Sequence, residues 1–96
     1  MRQYIMHAWD GTDEKALERR MSVRPAHFDN ARKLKASGNF VIGGAMLNEE
    51  GKMIGSTMVV QFETQEQLQQ WLDTEPYITG KVWEKMDLRP FKVADV

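Results

Sequence analysis

The chain has 96 residues, which is the size of one small domain and leaves no room for a second catalytic domain. Its composition, 42% hydrophobic and 28% charged with only three prolines, excludes disordered, collagen-like and low-complexity proteins. A formal net charge of −1 excludes a global basic field for nucleic acid or anionic lipid. The absence of cysteine excludes disulfides, thiolate nucleophiles and zinc-thiolate or iron–sulfur ligation.

The predicted cellular location is the cytoplasm. The N-terminal residues contain no long apolar stretch before a small-residue cleavage pattern, so no signal peptide is expected. The longest apolar run, residues 40–47, is far shorter than the roughly 20 residues that cross a bilayer. We therefore expect a soluble, cytoplasmic protein with a single domain over residues 1–96.

The first third of the chain predicts a strand followed by a broken helix. Residues 3–9 alternate between two apolar rows, which is the periodicity of a strand. After Asp10 and Gly11, Thr12 is placed to cap a helix that starts at about residue 13 and has acidic residues in its first turn. Residues 22–25 are expected to interrupt this helix, because Pro25 disfavours helical backbone at the residue before it.

A second helical segment is predicted to begin at Pro25. Phe28, Ala31 and Leu34 form an apolar stripe along it, and Gly38 ends it. Residues 13–37 are therefore expected to form a helical hairpin or a kinked helix.

The remaining elements alternate between strands and one helix. Residues 40–47 and 53–62 predict a hairpin around a polar turn. Residues 64–67 (Thr-Gln-Glu-Gln) form a capping box that starts a helix, which must end before Pro76. Residues 82–93 predict a last strand. Its alternation places Met86 and Leu88 on one side and Trp83 and Phe91 on the other.

The order β-α-β-β-α-β predicts an α+β, ferredoxin-like fold with a four-stranded antiparallel sheet and helices on one face. The second and third strands nevertheless have apolar side chains in both rows, for example Met58 in one and Val59 in the other. An uncovered apolar sheet face usually binds a partner. We therefore expect a homodimer that packs through its sheets.

Two histidines are candidates for proton transfer. His7 lies within a strand pattern, where a hydrogen-bonded core or interface histidine is the favoured interpretation. His27 lies one turn into the second helical segment, at the edge of the apolar stripe. Imidazole titrates near neutrality and can both take and give a proton, so this position suits a general base. Spacing alone also allows a structural role for His27.

The residues around His27 offer candidate binding groups. Arg19, Arg20 and Arg24 precede it, and they are either a solvated helix face paired with acidic neighbours or, for Arg24, a contact to an anionic or phenolate oxygen. Two neighbouring strands contain glycine, at Gly43-Gly44 and at Gly55-Ser56. Glycine inside a strand predicts a bulge or a close approach of another backbone or a ligand. Ser56 is either an ordinary strand residue or a hydrogen-bond donor to the same pocket.

Residues 75–77 (Glu-Pro-Tyr) place a carboxylate at a rigid break in the chain. Such a carboxylate is commonly a turn residue, but one that meets His27 would fix its tautomer and stabilise its charged form. No metal-ligand spacing, dinucleotide motif, P-loop or hydrolase elbow is present, so no cofactor or metal is expected.

The segment 20–28, with Arg24-Pro25-Ala26-His27 at its centre, resembles the YciI-like (YCII) family. The later Gly43-Gly44, Gly55-Ser56, Glu75-Pro76-Tyr77 and Pro90-Phe91 steps follow in the family's order, so the resemblance spans nearly the whole chain. It implies one YCII-like domain, a dimeric α+β barrel similar in architecture to muconolactone isomerase. The family includes a dehydrochlorinase of a chlorinated hydroxyhydroquinone.

The resemblance also implies a His-carboxylate dyad, with His27 as the base and Glu75 at the position of the family's Asp. Contacts to the substrate are then expected from Arg24, Gly44, Ser56 and Tyr77. The expected function is a cofactor-independent lyase or isomerase, including dehydrochlorination, acting on a small cyclic, phenolic or quinone-like compound. The alternative is a non-catalytic dimeric module that binds a metabolite or a protein on the same scaffold.

Overall fold

The computed structural model describes residues 1–96 as a four-stranded antiparallel sheet with helices on one face. The strand order in the sheet is β2-β3-β1-β4. This confirms the predicted α+β, ferredoxin-like arrangement. The elements are β1 (Arg2–Asp10), α1 (Ala16–Ala36), β2 (Phe40–Leu47), β3 (Met53–Phe62), α2 (Gln65–Thr74), α3 (Pro76–Thr79) and β4 (Trp83–Phe91).

The predicted break at Pro25 is wrong, because α1 is one helix that contains the proline. It begins at Ala16 after Lys15, so Thr12 does not cap it. A proline inside a helix costs about 3 kcal/mol or more through the lost hydrogen bond and the ring clash. Buried contacts on both sides of Pro25, made by Arg20 and His27, offset this cost. None of the helices combines the length and the hydrophobicity that a membrane-spanning helix requires.

The core lies between the sheet and the helices. It is built from one face of β1 and β3 and from aromatic and aliphatic side chains of α2, α3 and the start of β4. The predicted capping box of α2 is present, since Thr64 Oγ1 accepts from the Gln67 backbone N–H at 3.2 Å. The buried residues of the core are Tyr4, Met6, Ala8, Met58, Val60, Phe62, Leu68, Trp71, Tyr77, Val82 and Trp83.

The predicted faces of β4 need one correction, at Trp83. The pairing of β1 with β4 shifts between Trp9 and Asp10, so Trp83 lies opposite Asp10 on the face that carries the core. Met86 and Leu88 lie on this same face, opposite Ala8 and Met6. Strict alternation failed because a bulge inserts an extra residue and reverses the side on which later residues point. Phe91 lies on the opposite face, as predicted.

That opposite face of the sheet has no helix over it. Its apolar side chains include Ile42, Trp9 and Phe91, with 64%, 38% and 41% of their surfaces exposed. His7 also lies here, and its Nδ1 is hydrogen-bonded to Thr57 Oγ1 at 2.9 Å. The feature that predicted a partner surface, apolar residues on both faces of one sheet, is therefore present.

The glycines of β2 and β3 are under different steric constraints. A Cβ at Gly55 would lie 2.3 Å from the Ala8 carbonyl oxygen of β1, whereas a Cβ at Gly44 would meet nothing within 4 Å. Gly43 is intermediate, because its Cβ would lie 3.0 Å from the Phe40 ring. Close approach of two backbones therefore requires glycine at residue 55 but not at residue 44.

We expect Gly55→Ala to destabilise the fold by about 1–3 kcal/mol or more, because a methyl group there forces β1 and β3 apart. Gly44→Ala is the matched control and should change the free energy of unfolding by less than about 0.5 kcal/mol. Urea denaturation of both variants measures the difference. Equal midpoints for the two variants would contradict the steric assignment.

Candidate active site

A cavity of about 370 Å³ lies between α1 and the strands β2 and β3. On the helix side it is lined by Arg20, Arg24, His27 and Ala31, which recur every three or four residues and so share one face of α1. Apolar side chains from both sides complete much of the wall. They are Phe28, Phe40, Met53 and Met58.

His27 and Glu75 are brought into contact. The Nδ1 atom of His27 is hydrogen-bonded to the Glu75 Oε1 atom, although the two residues are 48 positions apart in the chain. Glu75 is fully buried at the junction of α2 and α3, and His27 is 7% exposed at the cavity wall. The side chain of Glu75 therefore reaches the histidine from behind, away from the cavity.

Three further donors point at the Glu75 carboxylate. The Asn30 amide and the Trp71 indole N–H donate to Oε2, each at 3.2 Å, and the Tyr77 backbone N–H donates to Oε1 at 3.1 Å. An ionised carboxylate only accepts, with about four lone-pair sites, so these donors and His27 fit the charged form. In a neutral imidazole, this contact puts the proton on Nδ1 and leaves a free lone pair on Nε2.

Tyr77 lies behind His27. Its ring stacks on the imidazole with centroids 3.9 Å apart and planes 10° apart, and Trp83 contacts the Tyr77 ring edge-on at 5.6 Å. Tyr77 is 1% exposed and does not line the cavity. Its position supports the His27 ring and is not the substrate contact that the sequence predicted. Burial raises the pKa of its phenol, which keeps the ring neutral.

Arg20 forms a second buried polar cluster on the same face of α1. Its Nη1 atom donates to both carboxylate oxygens of Asp10, at 3.0 and 3.1 Å, and its Nη2 atom donates to Ser56 Oγ at 2.8 Å. The Trp83 indole N–H donates to the same Ser56 oxygen at 3.2 Å. Burial raises the pKa of Asp10, and Arg20 opposes this by favouring the charged carboxylate.

The other arginines divide between the two interpretations made from sequence. Arg19 pairs with Asp13 at 2.7 Å on the exposed side of the helix, as the solvated interpretation predicts. Arg24 lines the cavity, and its guanidinium lies 4.6 Å from the centre of the Phe28 ring.

Gly44 and Ser56 line the same cavity. No group of three or more His, Asp or Glu side chains is placed to hold a metal ion.

Sequence reasoning missed three contributors: Arg20 at the cavity wall and, behind His27, Asn30 and Trp71. The signal for Arg20 was its spacing of seven from His27, about two helical turns, which puts both on one face of an unbroken helix. The prediction of a break at Pro25 separated them. Asn30 had no local signal, because its acceptor lies 45 positions away in the chain. Trp71 lies four residues before Glu75, a spacing that places both side chains on one face of a helix and could have revealed this pair.

Comparisons with known proteins agree with this fold. Residues 3–92 match the family model of the YCII-related domain. Protein YciI of Escherichia coli is 37% identical over 95 residues, which cover 93% of this chain and 95% of that protein. An uncharacterized protein of Haemophilus influenzae is 30% identical over the same share of both chains.

Among solved structures, 5-chloro-2-hydroxyhydroquinone dehydrochlorinase (TftG) of Burkholderia phenoliruptrix, in complex with 2,5-dihydroxybenzoquinone, has a TM-score of 0.79. The match covers 96% of this chain and 95% of that one at 18% identity, which is a likeness of fold. The family model and the 37% identical relative together cover almost all of the sequence. The chain therefore belongs to the YCII-related (YciI) family.

Proposed function

We propose that this protein is a cofactor-independent lyase or isomerase that removes a proton from a small cyclic or phenolic compound. One observation carries the proposal. His27 lies on the cavity wall, and its Nδ1 is hydrogen-bonded to the carboxylate of Glu75, which is fully buried and faces four donors. A buried carboxylate behind a histidine fixes the tautomer and stabilises the imidazolium ion that forms when Nε2 takes a proton.

In the proposed reaction, His27 Nε2 takes a proton from a hydroxyl or C–H group of the substrate. The electron pair left behind either moves to a neighbouring position, which then takes the proton back from His27, or expels a leaving group such as chloride. Glu75 stays ionised throughout and stabilises the charged imidazole. Arg24 and Ser56 face the cavity and are the proposed contacts for the oxyanion that develops on the substrate.

The cavity wall suits a flat apolar ring with oxygen substituents, because Phe28, Phe40 and Met58 line it together with polar donors. The dehydrochlorinase of similar fold binds a dihydroxybenzoquinone, which supports a compound of this class here. A metabolite-binding or protein-binding module without catalysis is the alternative outcome of the experiments below.

We also propose that two copies pack through the helix-free face of the sheet. Ile42, Trp9 and Phe91 are large apolar side chains exposed on this one face. A symmetric dimer would bury the same patch of both copies and remove these side chains from water.

His27→Asn tests the proposed base, since the asparagine amide can keep a donor near Glu75 while Nε2 is lost. We expect proton abstraction to slow by about 10²–10⁴-fold with the fold retained. Deuterium uptake from D₂O, or chloride release, by a panel of hydroxylated and chlorinated hydroquinones measures the rate. The control is His7→Asn, the histidine on the opposite sheet face. Failure of the wild-type protein to turn over any member of the panel would favour the binding module.

Glu75→Gln removes the charge behind His27 and keeps the shape of the side chain. We expect kcat to fall at least about tenfold while KM changes little, because the imidazolium is formed only as the proton is transferred. Glu66→Gln, an exposed glutamate in the first turn of α2, is the matched control. An unchanged kcat in a folded Glu75→Gln protein would rule out the dyad.

Ile42→Glu tests the proposed dimer, because a charge at this position would be buried between the two sheets. We expect light scattering to find the wild-type protein as a dimer and the variant as a monomer. Leu17→Glu on α1, also an exposed apolar residue, should leave the dimer intact. A monomeric wild-type protein at micromolar concentration would contradict the proposal.

A further inference from the structure

We propose that Arg20 and Ser56 together form an oxyanion-binding pair, in which the Arg20 Nε–H and the Ser56 O–H donate to one oxygen of the substrate. This inference rests on the proposed function, and it adds Arg20 to Arg24 and Ser56 as a group that stabilises the negative charge left when His27 takes the proton. It makes Arg20 a substrate-contacting residue.

The hydrogen bonds of Ser56 leave only its proton unused. The side chain is almost fully buried, and its oxygen accepts from Arg20 Nη2 at 2.8 Å and from Trp83 Nε1 at 3.2 Å. A hydroxyl has one proton and two lone pairs, so both lone pairs are occupied. Ser56 must therefore act as a donor to anything else it meets, and it lines the cavity.

Arg20 shows the same pattern in its guanidinium. Nη1 is bonded to both oxygens of Asp10 and Nη2 to Ser56, but the buried Nε atom has no hydrogen-bond partner. Buried donors without an acceptor are rare in native proteins, because each costs about 1–3 kcal/mol. An oxygen of a bound ligand would satisfy this donor, and Arg20 lines the same cavity as Ser56 and His27.

The surroundings hold this pair in position before any ligand binds. Asp10 fixes one edge of the guanidinium, and the Tyr77 ring lies 4.8 Å from its central carbon. Asp10 also balances the formal charge of Arg20, so the pair offers directed donors rather than a net positive charge. Donors that are already oriented need no rearrangement when charge develops on the substrate, which is how an oxyanion hole accelerates a reaction.

The test compares two coloured ligands of the same shape, 4-nitrophenolate and 4-nitroaniline, by absorbance titration of the whole protein. The first has an oxyanion, and the second has an amino group that is a poor acceptor. Arg20→Lys keeps a positive charge beside Asp10 but loses the Nε–H, and Ser56→Ala loses the hydroxyl. Arg19→Gln is the matched control, because it removes a neighbouring guanidinium that is paired with Asp13 on the exposed side of α1 and does not line the cavity.

We expect Arg20→Lys and Ser56→Ala each to raise the Kd of 4-nitrophenolate by about tenfold to a hundredfold, and the Kd of 4-nitroaniline by less than about twofold. Arg19→Gln should leave both values within about twofold. Unchanged phenolate binding in either folded variant, or an equal loss for both ligands, would overturn the inference.

The variant His27→Asn separates this inference from the proposed function. It removes the proposed base and leaves the Arg20 Nε–H and the Ser56 O–H in place. If phenolate binding is insensitive to Arg20 and Ser56 but turnover still depends on His27, the oxyanion pair is refuted and the dyad stands. If binding depends on the pair and no substrate is turned over, the pair stands as a binding site and the catalytic proposal fails.

Discussion

The buried carboxylate of Glu75 is the constraint on which the rest of the site depends. A charged group without water must be paired and hydrogen-bonded, or the folded state loses several kcal/mol. Its donors come from three helices: His27 and Asn30 of α1, Trp71 of α2 and the backbone of Tyr77 at the start of α3. Satisfying one carboxylate therefore holds all three helices in a single arrangement and orients the imidazole.

A second buried pair, Arg20 with Asp10, attaches the N-terminal half of α1 to the end of β1. Tyr77 links the two clusters, since its ring contacts both the Arg20 guanidinium and the His27 imidazole. The two clusters lie on opposite sides of Pro25 along the helix. Their combined anchoring explains why α1 continues through a residue that ordinarily ends a helix.

Sequence patterns predicted the structure correctly where residues that are close in the chain are also close in space. The capping box of α2 and the apolar rows of β1 and β3 were recognised in this way, because both depend on spacings of two to four residues. The pattern failed at Pro25 and at Trp83. In the first case buried contacts of Arg20 and His27 override a local preference, and in the second a bulge opposite Trp9 and Asp10 reverses the alternation.

The sequence by itself determined the order of all the elements except the short helix α3, the fold class and the resemblance that paired His27 with Glu75. Only the tertiary structure decided which groups surround that carboxylate, that Tyr77 lies behind the histidine, and that Arg20 faces the cavity. The physical reason is the range of the interactions. Hydrophobic periodicity and capping act within a few residues, whereas the buried charge of Glu75 also needs His27 and Asn30, which lie 48 and 45 positions away in the chain.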